Sequence, residues 1–290
     1  MNVFVKNQTD SIAIDRIENA IKKYAPKNIN FCDRTQESDL VILFINGRYD
    51  NFKRLTEELL NQGKKYVMVQ LCLKSTKKPN ARDWVPMWEK AELVWSYYDL
   101  YRICDEENIN KNFNFLHAPL GIDDAFLNQK PSKNKDYIIS SSGVGYLIES
   151  VRECIIAAEI VGGRVFHVGP VVTNRKNVDF SNGMSDKDLA NKLSTCKYVS
   201  GLRRLEGFEI PVIESFVCGA RPIVFDRTDN RNWFNDFAIF IEETNRSEII
   251  KDLTKIFEGK YNPPTEQEIE KVKNRFNWEK IISQFWKKLQ

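Results

Sequence analysis

The chain lacks any apolar run long enough to span a bilayer. Runs such as Val41-Ile42-Leu43-Phe44-Ile45 fall far below the roughly 20 residues a spanning helix needs, so no membrane span is expected. It opens on Met1-Asn2-Val3-Phe4-Val5-Lys6, a strand-like run with no charged segment followed by an apolar one, so no secretory signal is expected. Its six cysteines lie far apart, each within an apolar run, and form no C-x-x-C pair. That excludes a zinc ribbon or a disulfide framework and suits a reducing, cytoplasmic setting. There are two histidines in 290 residues, and the formal charge is a modest +3. No global charge demands a polyanionic partner. The 42% hydrophobic and 29% charged fractions exclude wholesale disorder.

What is present is unevenly placed. From Gly47 to Arg82, nine basic residues (Arg48, Lys53, Arg54, Lys64, Lys65, Lys74, Lys77, Lys78 and Arg82) face three acids, an excess of six positive charges. The reading is either a solvated helix face with a loop or an anion-binding surface. The 26 asparagines and 43 Lys+Arg against 13 glycines suggest an AT-rich coding sequence.

Hydrophobic periodicity alternates strand and helix. Strands are expected at 3–5, 29–32, 40–45, 66–73, 93–97 and 113–118, and helices at 11–24, 52–60 and 98–107, with a polar loop at 74–86. After 119–135, which is aperiodic and proline-containing, the alternation restarts. Strands follow at 137–139, 165–168, 198–200 and 222–225, with helices at 147–161, 186–194 and 211–218. The pattern implies parallel sheets with right-handed crossovers. Four segments are expected: a first Rossmann-like domain at 1–120, a linker at 121–135, a second Rossmann-like domain at 136–265, and an amphipathic helix at 266–290 crossing back to the first domain. A ligand cleft would lie between the two sheets.

The chemistry concentrates in Leu202 to Phe225, LRRLEGFEIPVIESFVCGARPIVF. Gly207 and Phe208 suit a tight turn, and Pro211 suits the start of a helix. Free N–H groups at such a helix end can hold a pyrophosphate, and a carboxylate beside it can accept hydrogen bonds from a ribose diol. Glu206 and Glu214, which bracket seven residues, therefore suit a sugar nucleotide, one for the sugar and one for the ribose.

The string resembles the donor-site motif of retaining GT-B glycosyltransferases of the family-4 group, E-G-F-G-L-P-x-x-E-A-x-A-C-G-x-P-V. Glu206, Gly207, Phe208, Pro211, Glu214, Cys218, Gly219 and Pro222 match it. HAPLGIDDAF resembles the family's linker, and NRFNWEKIISQF its terminal helix. The resemblance implies an α/β GT-B fold, two Rossmann-like domains facing a central cleft, and a retaining transferase that uses a nucleoside-diphosphate sugar, here a UDP-sugar. It implies no cofactor and no metal. By the same resemblance Glu206 contacts the transferred sugar, Glu214 holds the ribose, and the backbone of Gly207 and Phe208 lines the sugar phosphate. The Asn182-Gly183-Met184 loop would read the base, and Ser142, Gly143 and Gly145 would face the diphosphate.

The sequence departs from the pattern at three places. Glu209 stands where the family has glycine, an extra carboxylate at the donor site. The cations that usually follow the glycine-rich loop are absent, leaving Arg152, Arg203 or Arg204 to supply the charge, with Arg204 the first choice. The first domain has Lys6 to Asp10 where a glycine-rich loop is usual. His117, at the end of the first domain's last strand, is a candidate catalytic contact, and His167 reads as a core residue.

For the acceptor, the basic stretch with Arg48, Lys74, Lys77 and Lys78 interleaved with Trp84 and Trp88 suits a phosphate backbone and a stacked base. With the small size and AT-rich composition, it points to hydroxymethylcytosine, or a sugar on it, in double-stranded bacteriophage DNA, with the host cytoplasm as the location. A glycan or lipid-linked saccharide of capsule or lipopolysaccharide type is the alternative. A non-catalytic nucleotide-sugar or DNA-binding protein is the reading from another class.

Overall fold

The computed structural model describes residues 1–6, 12–47, 49–73, 81–143, 148–204 and 208–290. It divides into two compact units, 1–120 with 278–290, and 121–277.

The first unit is a six-stranded parallel sheet. In chain order it contains β1 (Asn2–Lys6), α1 (Ile12–Lys23), β2 (Asn30–Cys32), β3 (Leu40–Ile45), α2 (Tyr49–Asn61), β4 (Lys65–Gln70), α3 (Ala81–Trp88), β5 (Leu93–Ser96), α4 (Leu100–Glu106) and β6 (Phe115–His117). The sheet order is β2-β1-β3-β4-β5-β6. All six residues of β3 are buried, as expected of a strand covered on both faces.

The second unit repeats the plan. It holds α5 (Asp124–Leu127), β7 (Tyr137–Ser142), α6 (Val151–Ile160), β8 (Val165–Val168), β9 (Val178–Ser181), α7 (Asp186–Ser194) and β10 (Cys196–Gly201). Next come α8 (Ile210–Val217), β11 (Arg221–Phe225), α9 (Thr228–Phe234), β12 (Ile239–Ile241), α10 (Arg246–Glu258) and α11 (Glu266–Arg275). Its sheet order is β12-β11-β10-β7-β8-β9, all parallel. The last helix, α12 (Trp278–Leu289), belongs to the first unit. There Phe285 packs on Trp95 with ring centroids 5.6 Å apart, and Trp286 Nε1 donates to the Ile21 carbonyl.

Several expectations are corrected. The single helix read over 266–290 is two, broken at Phe276-Asn277: the Phe276 ring is buried among Phe208 and Phe237 while α12 starts afresh. The loop read over 74–86 gives way to α3 from Ala81. Ala81, Trp84, Val85 and Trp88 have helical spacing and are buried together, and that burial outweighs Pro86 inside the helix. Trp84 and Trp88 are completely covered, with their indole N–H groups donating to the Leu73 carbonyl and Gln70 Oε1. Neither can stack on a base. The short strand read at 137–139 runs on to Ser142, with Ser140 and Ser141 buried between β10 and β8. The helix read from 147 starts at Val151, after Ser150 takes a left-handed conformation (φ 49°). The aperiodic 121–135 segment contains α5, and β9, α9, β12 and α10 were not anticipated.

Part of the basic stretch is engaged within the first unit. Arg54 pairs with Glu58 and Lys65 with Glu92, while Arg82 donates to the Glu107 carbonyl beyond the end of α4. Lys64 is held by the carbonyls of Gln36 and Ser38. Among the described residues, no helix is long and apolar enough to cross a membrane.

Candidate functional site

Open α/β sheets bind ligands beyond the carboxyl ends of their strands. In the second unit those ends bring together Ser142-Gly143 after β7, Gly169 after β8, and Leu202 to Arg204 after β10. Gly143 has φ +132° and its N–H donates to the Val168 carbonyl. Gly169 has φ +146°, and a Cβ there would strike the Gly143 carbonyl oxygen. Both positions therefore demand glycine, and the two loops pack backbone to backbone.

Beneath them lies His167, fully buried, with Nδ1 2.9 Å from Ser141 Oγ. Burial holds its pKa below the ordinary imidazole value, so the ring is neutral at physiological pH. It supports the loop from behind, as the sequence reading of a core residue expects.

In the Leu202–Phe225 string, the described residues leave the carboxyl end of β10 at 202–204 and, from Phe208 on, run through α8 into β11. Glu209 occupies the N-cap position of α8 without capping it through its side chain, and Pro211 is in the first turn, where its missing N–H costs nothing. Glu214 lies in the second turn of α8 and is 3% exposed. Its burial follows from the helix, of which seven of eight residues are covered. Phe208 is also buried, packed on Trp233, Phe234 and Phe276. Its ring belongs to the core, so its backbone is what a ligand could meet.

The two arginines before the motif separate. Arg204 pairs with Glu243 at 3.2 Å and lies over the Phe225 ring, while Arg227 donates to the Arg204 carbonyl and to Glu243. Arg203 is the one that reaches the loop. Its Nη2 donates to Ser142 Oγ at 3.2 Å, its Nε lies 3.1 Å from Glu209 Oε2, and its Nη1 lies 3.5 Å from Glu149 Oε1. The sequence reading preferred Arg204 and did not single out Glu149. The available signal was an acid six residues after Gly143, where a cation was expected.

Of the remaining candidates, Gly183 adopts φ +76°, and Met184 packs partly buried against the cluster of Tyr137, Phe166, Cys196, Val199 and Ala220. Ser185 then caps α7, accepting from the Asp188 N–H. Arg152 is on the exposed face of α6. His117, in the first unit, ends the edge strand β6. It is exposed, stacked on Phe115, with Nε2 3.2 Å from the Tyr97 carbonyl. Glu206, Gly207, Gly145, Arg48, Lys74, Lys77 and Lys78 lie outside the described residues. Among the described residues, no group of three His, Cys, Asp or Glu side chains could hold a metal ion. A separate cavity of about 640 Å³, lined by Lys135, Arg164, Lys197 and Glu258 among others, opens at the opposite, amino-terminal edge of the sheet.

With two parallel-sheet Rossmann-like units, the fold is that of GT-B glycosyltransferases. The chain is similar to Anabaena Alr3699/HepE, solved in complex with UDP-glucose, at 12% identity and a TM-score of 0.71, covering 99% of this chain and 98% of that one. It is similar to the apo lipopolysaccharide outer core galactosyltransferase WaaB at 12% identity and a TM-score of 0.67, covering 100% and 99%. It is also similar to the pneumococcal O-GlcNAc transferase GtfA, in complex with UDP and GlcNAc, at 12% identity and a TM-score of 0.65. That match covers 86% of this chain but 56% of GtfA, so the chain spans just over half of that enzyme's length. No protein-family model matches the sequence, and no curated protein matches it.

Proposed function

We propose that the protein is a retaining glycosyltransferase that moves a sugar from a UDP-sugar to a hydroxyl acceptor. The observation that carries this is the course of the motif. It runs from the carboxyl end of β10 into α8, the edge where an open α/β sheet takes its ligand. The UDP and UDP-glucose complexes of the similarly built HepE support the donor class.

In this reading Glu214 holds the ribose, Glu206 contacts the transferred sugar, and the Asn182–Met184 loop meets the base. The bond between anomeric carbon and phosphate oxygen breaks with its electron pair leaving on the diphosphate. The acceptor hydroxyl oxygen bonds to the same face of an oxocarbenium-like sugar, and its proton passes to the departing phosphate oxygen. Fixed N–H dipoles and arginine stabilise the leaving charge, so no metal is required.

For the acceptor, a saccharide hydroxyl is the better-supported choice. Trp84 and Trp88 are buried, and Arg54, Lys65 and Arg82 are engaged within the first unit. WaaB, which the chain matches over nearly its whole length, is named for lipopolysaccharide outer core. Hydroxymethylated DNA is the second reading, favoured by the excess of six positive charges between Gly47 and Arg82.

A panel of UDP-sugars with saccharide and hydroxymethylated-DNA acceptors, followed by UDP release, tests the proposal. Turnover with a saccharide is expected. No UDP release with any donor and acceptor would overturn it.

A further inference from the structure

The Arg203 N–H and carboxylate network has a feature the donor reading does not use. The Arg204 N–H donates to the Ile148 carbonyl at 2.9 Å, which lays residues 148–149 beside 203–204. This carries the Glu149 carboxylate onto the open face of Gly143, where a Cβ would land directly on it. The Glu149 and Arg203 side chains are 10% and 17% exposed, so the pair is largely shielded. Among the described residues, one guanidinium thus serves two carboxylates. Its Nε edge meets Glu209, whose side chain is 4% exposed, and its Nη edge meets Glu149 and Ser142.

An arginine fork accepts a carboxylate and a phosphate with the same bidentate geometry. The Glu149 carboxylate on that fork also puts a negative charge where a diphosphate would bind, which opposes it.

We propose that Glu149 is an internal stand-in for the donor's phosphate: it occupies the Nη edge of Arg203 over Gly143 and is displaced when the diphosphate binds there. Arg203 is then the cation of the diphosphate site, and Glu209 keeps the guanidinium in place throughout. The exchange makes empty-site stability and donor affinity compete for the same fork. The inference rests on the donor site proposed above.

The test titrates UDP and, separately, uridine into wild type, Glu149→Gln and Arg203→Met, with thermal unfolding as the fold control. Uridine lacks the phosphates and reports the rest of the nucleotide site. Glu149→Gln, nearly isosteric, should tighten UDP about fivefold, the order expected on removing one partly shielded competing charge, and leave uridine unchanged. Arg203→Met should weaken UDP about tenfold or more, again without changing uridine. Unchanged or weakened UDP binding in Glu149→Gln overturns the inference, as does a parallel change for uridine. A wild type that binds neither ligand contradicts the donor reading itself, and this inference with it.

Discussion

Glu214 is the single residue on which the donor reading leans most. It is almost wholly covered by its own helix and the surrounding core, so a bound ribose would meet a carboxylate already shielded from water. Hydrogen bonds to a charged group are worth about 1.5–3 kcal/mol each, so Glu214→Ala should weaken UDP roughly ten- to a hundredfold by calorimetric titration. Glu206→Ala should instead lower turnover while leaving UDP affinity near wild type, because its contacts would be to the sugar. The cysteines give a second expectation. Burial pushes the Cys154 and Cys196 thiols up to about 12 and raises Cys104 and Cys218 as well. A thiol-reactive reagent at neutral pH should therefore modify at most the half-buried Cys32 and Cys72 in the native protein. Reaction of all six without denaturant would contradict this. The start of α8 was legible in the sequence, because Pro211 suits a first helical turn. The choice between Arg203 and Arg204 was not, since successive residues leaving a strand point to opposite sides and only the fold says which side holds the loop.

At the scale of elements, the joint between β11 and α11 is electrostatic. Arg221 donates to both oxygens of Glu268, which also completes the capping box with Thr265. The Arg221 hydrogen bond, with the Thr265 N–H, holds the Glu268 carboxyl down to about 2 against an ordinary 4.5. Its folded value is depressed, so its stabilising contribution is complete above about pH 4.5 and is lost as pH falls towards 2. Glu268→Gln should therefore flatten the fall in melting temperature across that acid range, and an unchanged acid profile would contradict the joint. In the first unit, α12 is anchored by Phe285, fully buried between Trp95 and Trp286. Phe285→Ala should cost about 3–5 kcal/mol in denaturant unfolding. Elements with an uninterrupted apolar run or clear period, such as β3 and α7, were readable from sequence. By contrast β9 (VDFS) and β12 (IFI) are too short to carry a period, and α10 was overlooked although its buried Ile249, Leu253 and Phe257 are spaced i, i+4, i+8. Pro86 obscured α3 because proline was read as a break, whereas tryptophan burial decides the matter there.

For the whole molecule, fold class follows from the repeated strand–helix alternation, but surface chemistry does not follow from charge counts. The basic excess between Gly47 and Arg82 looks like a polyanion surface until Glu92 and the end of α4 are seen to engage part of it. The saccharide reading predicts turnover that varies little with ionic strength and no activity on hydroxymethylated DNA. A DNA acceptor would instead give a log–log salt slope near −0.9 per phosphate contacted. The central claim is the retaining use of a UDP-sugar, and proton NMR of the reaction with an α-linked donor tests it most directly. The account predicts UDP release accompanied by a new α-anomeric signal, both lowered in Glu206→Ala. A β-linked product, or turnover undiminished in Glu206→Ala, would contradict it.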